Sequence, residues 1–237
     1  MNDYVRIEIL FDDLVFSIKE IILNNYRKIS LKKTTKILQR LIKKTNKITN
    51  FNNKNDKVVV SFDEYLCEVI TSLKSDLIYF YESDPAATDL KEIVLTYPGY
   101  YAIIVYRIAH LLNNMNIKYL PRMLSEYAHS KTGIDIHPNA NIGNYFFIDH
   151  GTGIVIGETT VIGHHFKIYQ NVTLGALSLE KGQMLKGTKR HPTVGNFVTI
   201  YAGASILGGN TIIEDAVVVG SNVFITKSIF KNEIIKK

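Results

Sequence analysis

At 237 residues, 46% of them hydrophobic, the chain holds one large domain or two modest ones and has ample apolar material for a core, which excludes an intrinsically disordered protein. Its single cysteine, Cys67, excludes an intrachain disulfide framework and any CxxC metal or redox motif, and its company (Tyr65, Leu66, Val69, Ile70) reads as a buried helix position. The net charge of +6 is concentrated between Arg27 and Lys57, where eleven Lys and Arg face one acid, Asp56; this reads as a solvated helix face and connector, with a docking patch for an acidic partner as the alternative, and not as the folded basic surface of a nucleic-acid binder.

The start, Met1-Asn2-Asp3-Tyr4, has neither the basic patch nor the apolar core of a signal peptide. No run of about 18 uncharged apolar residues is present, so no membrane span is expected, and the default location is the cytoplasm. Residues 4–26 carry apolar residues at three- and four-residue spacing, which predicts a helix with one buried stripe. A second helix is expected over 31–45, and Asn-rich 50–56 as a loop. A third covers 61–81, opened by a capping box at Ser61-Phe62-Asp63-Glu64 and closed by Asp84-Pro85, because the residue before proline is pushed out of the α region. Further helices are expected at 88–95, 98–114 and 118–130, and no glycine precedes Gly99.

From Gly133 onward the pattern changes. Fourteen of the fifteen glycines lie here, and aliphatic residues recur every six positions. Ile136, Ile142, Ile148 and Ile154 form one run; Ile156, Ile162, Ile168 and Leu174 follow after a two-residue offset; Val194, Ile200, Ile206, Ile212, Val218 and Phe224 form the last. Period six fits neither a helix nor a hairpin. It fits a triangular coil of 18 residues, in which each hexapeptide supplies one short strand and one turn, the aliphatic residue pointing to the axis. The residue two places earlier must share that axis, and Ala140, Thr160, Val172, Val198, Ala204 and Ala216 are small or β-branched, as this requires. The stretch Leu177–Arg190 breaks the pattern and is expected to loop out as a lid or a neighbour-gripping arm. The fold class expected is thus α+β, with an all-α domain over 1–132 and a parallel β-helix of hexapeptide repeats over 133–237, from which loop 177–190 is extruded.

Several strings then stand in a specific order: SDPA (83–86), YRIAH (106–110), DIHP (135–138), DHGTGIVIGET (149–159), VTLGA (172–176) and KRHP (189–192). Together they resemble the serine acetyltransferases, over most of residues 80–228. The resemblance implies a left-handed β-helix, acetyl-CoA as co-substrate with no metal, L-serine as acceptor, and a homotrimer or dimer of trimers acting in cysteine biosynthesis. It implies His150 as general base toward the serine hydroxyl, with Asp135 orienting it. It also implies Asp84 and Asp149 as partners of the substrate ammonium, and Arg190 and His191 at its carboxylate and reacting region, where an arginine fork suits a carboxylate. Asp84 before Pro85 reads equally as a helix terminator. Ala176, Ala202 and Gly220 match positions along which the pantetheine arm lies. Glu158 receives no role.

The remaining histidines are weaker candidates. His164 and His165 fall at a solenoid corner, His137 precedes Pro138, His110 lies on an apolar helix face, and His129 ends a helix where a cation suits the dipole. Many relatives end in a terminal isoleucine that inserts into O-acetylserine sulfhydrylase; this chain ends in Lys237, which departs from that pattern. The alternatives are another hexapeptide acetyltransferase acting on homoserine, O-phosphoserine or a sugar, a γ-class carbonic anhydrase using His150, His164 and His191, and a non-enzymatic scaffold. The carbonic anhydrase leaves Asp135 and Arg190 unexplained, and the scaffold leaves the cluster of Asp, His and Arg unexplained.

Overall fold

The computed structural model describes residues 3–24, 28–51 and 62–236. Six helices come first: α1 (Asp3–Leu23), α2 (Lys28–Thr49), α3 (Phe62–Ser83), α4 (Leu90–Thr96), α5 (Pro98–Asn114) and α6 (Leu120–Thr132). All six expected helices are found. The capping-box serine, Ser61, and most of the Asn-rich loop lie outside the described residues. No helix among the described residues is long and apolar enough to cross a membrane.

Every strand that follows is parallel to its neighbours. The first face of the solenoid stacks β1 (Asp135–Ile136), β4 (Val155–Ile156), β7 (Thr173–Gly175), β10 (Ser205–Leu207) and β13 (Phe224–Ile225). The second stacks β2 (Asn141–Ile142), β5 (Val161–Ile162), β8 (Thr193–Val194) and β11 (Ile212–Ile213). The third stacks β3 (Phe146–Ile148), β6 (Phe166–Ile168), β9 (Thr199–Ile200), β12 (Val218–Val219) and β14 (Ile234–Ile235). The chain visits the faces in this order, making about five turns, and each face contributes one ladder of aliphatic side chains to the axis. On the first face these are Ile136, Ile156, Leu174, Ile206 and Ile225, all buried.

The hexapeptide pattern is obeyed, the two-residue offset before Ile156 included, with one later correction. Ile148 and Ile156 are eight residues apart, because the corner 149–153 holds two extra residues; Ile154 is buried beside the axis two places before Ile156, where a smaller residue was expected. After Ile206 the register slips by one, since the corner at 208–210 is one residue longer. The core residues there are Ile213, Val219 and Ile225, while Ile212 and Phe224 are 46% and 69% exposed. A single added residue inverts a strand's two faces, so Ile212, Val218 and Phe224 point outward. The longer corner lies against the root of the excursion, where the Gly208 N–H donates to the Gly175 carbonyl at 3.0 Å.

The helices are fastened to the first coil by the residues of YRIAH. The Tyr106 hydroxyl donates to the Ala140 carbonyl at 2.7 Å, and His110 Nδ1 meets the Pro138 carbonyl at 2.8 Å. Arg107 grips buried Asp76 of α3 with two bonds, at 2.5 and 2.8 Å, and donates to the Gly143 carbonyl at 2.9 Å. Asp76 in turn accepts the Phe146 N–H at 2.9 Å, so the fork and carboxylate satisfy backbone groups on both sides of one coil. At Gly99 the start of α5 approaches so closely that an added Cβ would stand 2.7 Å from the Ile148 carbonyl oxygen. A single continuous core links helices and coils.

Candidate active site

The polar residues picked out from the sequence gather at two edges of the first face. One edge lies where the chain passes from the third face to the first. Its first corner, the enlarged 149–153, carries Asp149 and His150. His150 has φ +56°, an uncommon conformation for a residue with a side chain, and Gly151 follows with φ +94°. This backbone turns the imidazole outward: it is 70% exposed, and its Nε2 lies 3.7 Å from Asp149 Oδ1. Tyr169 and Tyr201 follow at the same edge on the next two coils, their rings stacked at 5.0 Å.

The helical layer reaches this edge through Asp84. Its Oδ1 accepts the Ala86 N–H at 2.8 Å, which is the turn that ends α3, while Oδ2 accepts the Tyr97 hydroxyl at 2.6 Å. Asp84 therefore ends α3 with one carboxylate oxygen and holds the Tyr97 hydroxyl with the other. The bond to Asp84, with some burial, pushes the Tyr97 phenol up to about 12, and the charges of Glu92 and Asp149 add to it. Tyr169 is raised by burial first and then by Asp149, Tyr201 and Asp84. Two carboxylates and three tyrosines thus share one field beside the His150 corner.

Asp135 opens β1 and pairs in register with Val155, five residues beyond His150. No ion pair or hydrogen bond joins its carboxylate to His150 among the described residues. This coil is 20 residues long, and a spacing of fifteen is short even of the regular 18, so Asp135 and His150 are not in register. Ala202 and Gly220 continue this edge upward; a Cβ at Gly220 would stand 2.7 Å from the Ile235 carbonyl oxygen, so the coil above already requires a small residue there.

The second edge lies between the first and second faces. It carries Glu158 and Thr159 on one coil and Lys189, Arg190 and His191 at the returning end of the excursion on the next. Arg190 pairs with Glu158. Thr159 Oγ1 accepts the N–H groups of Arg190 and His191 at 3.0 and 3.1 Å. His191 Nδ1 lies 3.0 Å from the Thr159 N and 2.8 Å from its Oγ1. Lys189 Nζ donates to the carbonyls of Thr159 at 2.7 Å and Pro192 at 3.0 Å, and to that of His191, closing the base of the loop. Burial, reinforced by the adjacent Arg190, drives the His191 imidazole down to about 4. Burial pushes the Glu158 carboxyl up, but its bond to Arg190 and that residue's charge win, and the net direction is down. Gly157 is glycine because the His191 ring occupies the place of its side chain: an added Cβ would lie 2.1 Å from Cδ2. Ala176 leaves β7 at this same edge.

Glu158 was given no role by the sequence reading, and Thr159, Lys189 and Tyr97 were not singled out by it. A signal for two of them existed. Val161 pairs with Thr193, an offset of 32, and Glu158 with Arg190 and Thr159 with His191 share that offset. Removing the loop and aligning the coils would have revealed both. The three histidines of the carbonic anhydrase alternative sit at three different edges: His150 between the third and first faces, His164 between the second and third, and His191 between the first and second. His137, at the second edge, is lowered by burial and then by Arg122, with its Nδ1 accepting the Asn139 N–H at 3.1 Å.

No family model matches the chain. It is 48% identical over 172 residues to the plasmid serine acetyltransferase of Synechococcus elongatus, spanning 71% of this chain and 54% of that protein. It is 46% identical over 144 residues to the serine acetyltransferase of Helicobacter pylori, spanning 61% of this chain and 80% of that protein. The structure is similar to that of native serine acetyltransferase 1 from Entamoeba histolytica, with a TM-score of 0.82 and 40% identity over 95% of this chain and 86% of that one. The same Entamoeba protein in complex with L-cysteine gives the same values. The chain spans about half the length of the first curated relatives it matches.

Proposed function

The chain belongs to the serine acetyltransferase family, and from that premise we propose that it transfers the acetyl group of acetyl-CoA to the hydroxyl of L-serine. The single observation that carries this reading is the sorting of charge between the two edges. A zwitterion with a nucleophilic hydroxyl needs anions, a cation and a base, and the chain offers Asp84 and Asp149 beside His150 at one edge and Arg190 with His191 at the other. In a single chain the two edges are separated by one face of the solenoid. Two copies packed edge to edge would bring them together, which favours the trimer as the smallest active unit.

In the proposed reaction His150 takes the proton from the serine hydroxyl as the oxygen attacks the thioester carbonyl. The new C–O bond forms, the tetrahedral oxyanion collapses, the C–S bond breaks, and the leaving thiolate recovers the proton from the imidazolium. Asp135 is assigned to steady that imidazolium. Its distance from His150 in register makes this a contact that bound substrate or a neighbouring copy must complete. Asp84 and Asp149 receive the ammonium, and Arg190 the carboxylate. Ala202 and Gly220 of one copy and Ala176 of the next would line the pantetheine arm, and the N–H near Ala176 suits an oxyanion donor. We assign residues 1–132 and 133–237 to two domains, the activity to the cytoplasm, and O-acetylserine sulfhydrylase to the list of partners to be tested.

The test is release of coenzyme A thiol from acetyl-CoA with L-serine, homoserine, O-phosphoserine and galactosides as acceptors. Release that depends on L-serine is the expected result. Release with a sugar alone would overturn the acceptor, and no release from folded trimer would overturn the activity.

A further inference from the structure

We infer that Thr159 is a positioning residue that locks His191 in one tautomer, with the proton on Nε2, so that His191 serves as a neutral hydrogen-bond donor while proton abstraction is left to His150. This rests on the acetyltransferase reading for its chemistry but on hydrogen-bond accounting for its geometry. A threonine hydroxyl has two acceptor lone pairs and one proton to donate. Both lone pairs of Thr159 Oγ1 are taken, by the N–H groups of Arg190 and His191. Its proton must therefore go outward, and His191 Nδ1 stands 2.8 Å away. The same Nδ1 faces the Thr159 N–H at 3.0 Å.

A proton on Nδ1 would point at two donors and give the hydroxyl oxygen a third. Only a bare Nδ1 can accept here, its single lone pair shared between the two donors in a three-centre bond. The ring's proton then belongs to Nε2, which has no hydrogen-bond partner among the described residues and is not sealed from solvent. The absence of a side chain at Gly157 leaves the room that the ring fills. Nε2 consequently offers a donor and no lone pair, which suits a developing oxyanion and cannot accept the serine proton.

The decisive measurement is nitrogen NMR on the full-length protein labelled at histidine, with the His191 signals assigned by their loss in His191→Asn. A pyridine-type Nδ1 and a pyrrole-type Nε2, persisting from pH 8 to pH 6, are expected. A protonated Nδ1 in that range overturns the inference. In kinetics, Thr159→Ser should keep the tautomer and a near-wild-type kcat, whereas Thr159→Val should lower kcat by roughly tenfold or more with little change in KM. Equal losses in Ser and Val variants would mean that Thr159 only packs, and would also overturn it. The spectrum reads the tautomer whether or not serine is the acceptor, so failure of the functional reading and failure of the lock are separate results.

Discussion

His191 is 7% exposed and held through Nδ1 by both donors of Thr159, whereas His150 is 70% exposed and has only Asp149, at 3.7 Å, as an ionic neighbour. The two imidazoles sit on the same solenoid and are separated by one face, yet one edge is finished within the chain and the other is not. The difference follows from how each edge is built. The donor edge is clamped between two coils in register, with Lys189 closing the loop root. The base edge is a two-residue insertion in a corner, with a left-handed histidine at its tip and a helix-terminating aspartate beside it. In the proposed reading, substrate or a neighbouring copy completes that edge.

The largest effect expected is at the unfinished edge. His150→Ala should lower kcat by about 10²–10⁴-fold, the usual contribution of a general base, while leaving the fold unchanged. Steady-state kinetics with L-serine, beside circular dichroism of the same preparation, check this. A rate within a few-fold of wild type would remove His150 from the mechanism and with it the division of labour between the edges.

A second experiment asks whether the two edges meet between copies. His150→Ala and Arg190→Ala proteins, each inactive, are unfolded together, refolded as mixed assemblies and assayed. If one copy supplies the base and its neighbour the arginine, random mixing restores roughly a quarter of the wild-type rate, because that share of junctions pairs two intact edges. If a site lies within one chain, no mixture contains an intact one and the rate stays at the background of the parents.

The fold was legible from residue types because period six admits few structures and glycine is absent before Gly99. What the period alone did not carry was the length of every corner. The two residues added at 149–153 show as an offset between runs, but the one added at 208–210 does not, because Ile206, Ile212, Val218 and Phe224 keep the period of six. So Ile212, Val218 and Phe224 were expected in the core that Ile213, Val219 and Ile225 fill. Asp135 and His150, fifteen apart, fall short of a coil of either 18 or 20 residues and are not register partners. At the site, the side chains that meet charge were readable from their types. The residues that hold them were not: Thr159 is an ordinary threonine until an offset of 32 sets it under His191, and Glu158 acquires its role only through Arg190.

The smallest effect expected is on stability, and it tests the finished edge. Burial first, then Arg190, places His191 at about 4, against 6.5 for a free imidazole. His137 and His110 are lowered too, also chiefly by burial. Between these values the unfolded chain binds protons that the folded chain refuses, so stability rises with pH through this window. For these groups it is flat above about 6.5, and it falls as the pH is lowered toward 4. The groups facing His191 set the same sign. Arg190 and Lys189 would repel an imidazolium, and the neighbouring Glu158, itself held low by Arg190, only partly offsets them. Thermal unfolding midpoints across pH 4–8 should therefore decline below 6.5, and His191→Asn should flatten part of that decline. An unaltered slope in the variant would mean that His191 charges freely in the folded protein, and the donor edge would then be no more settled than the base edge opposite it.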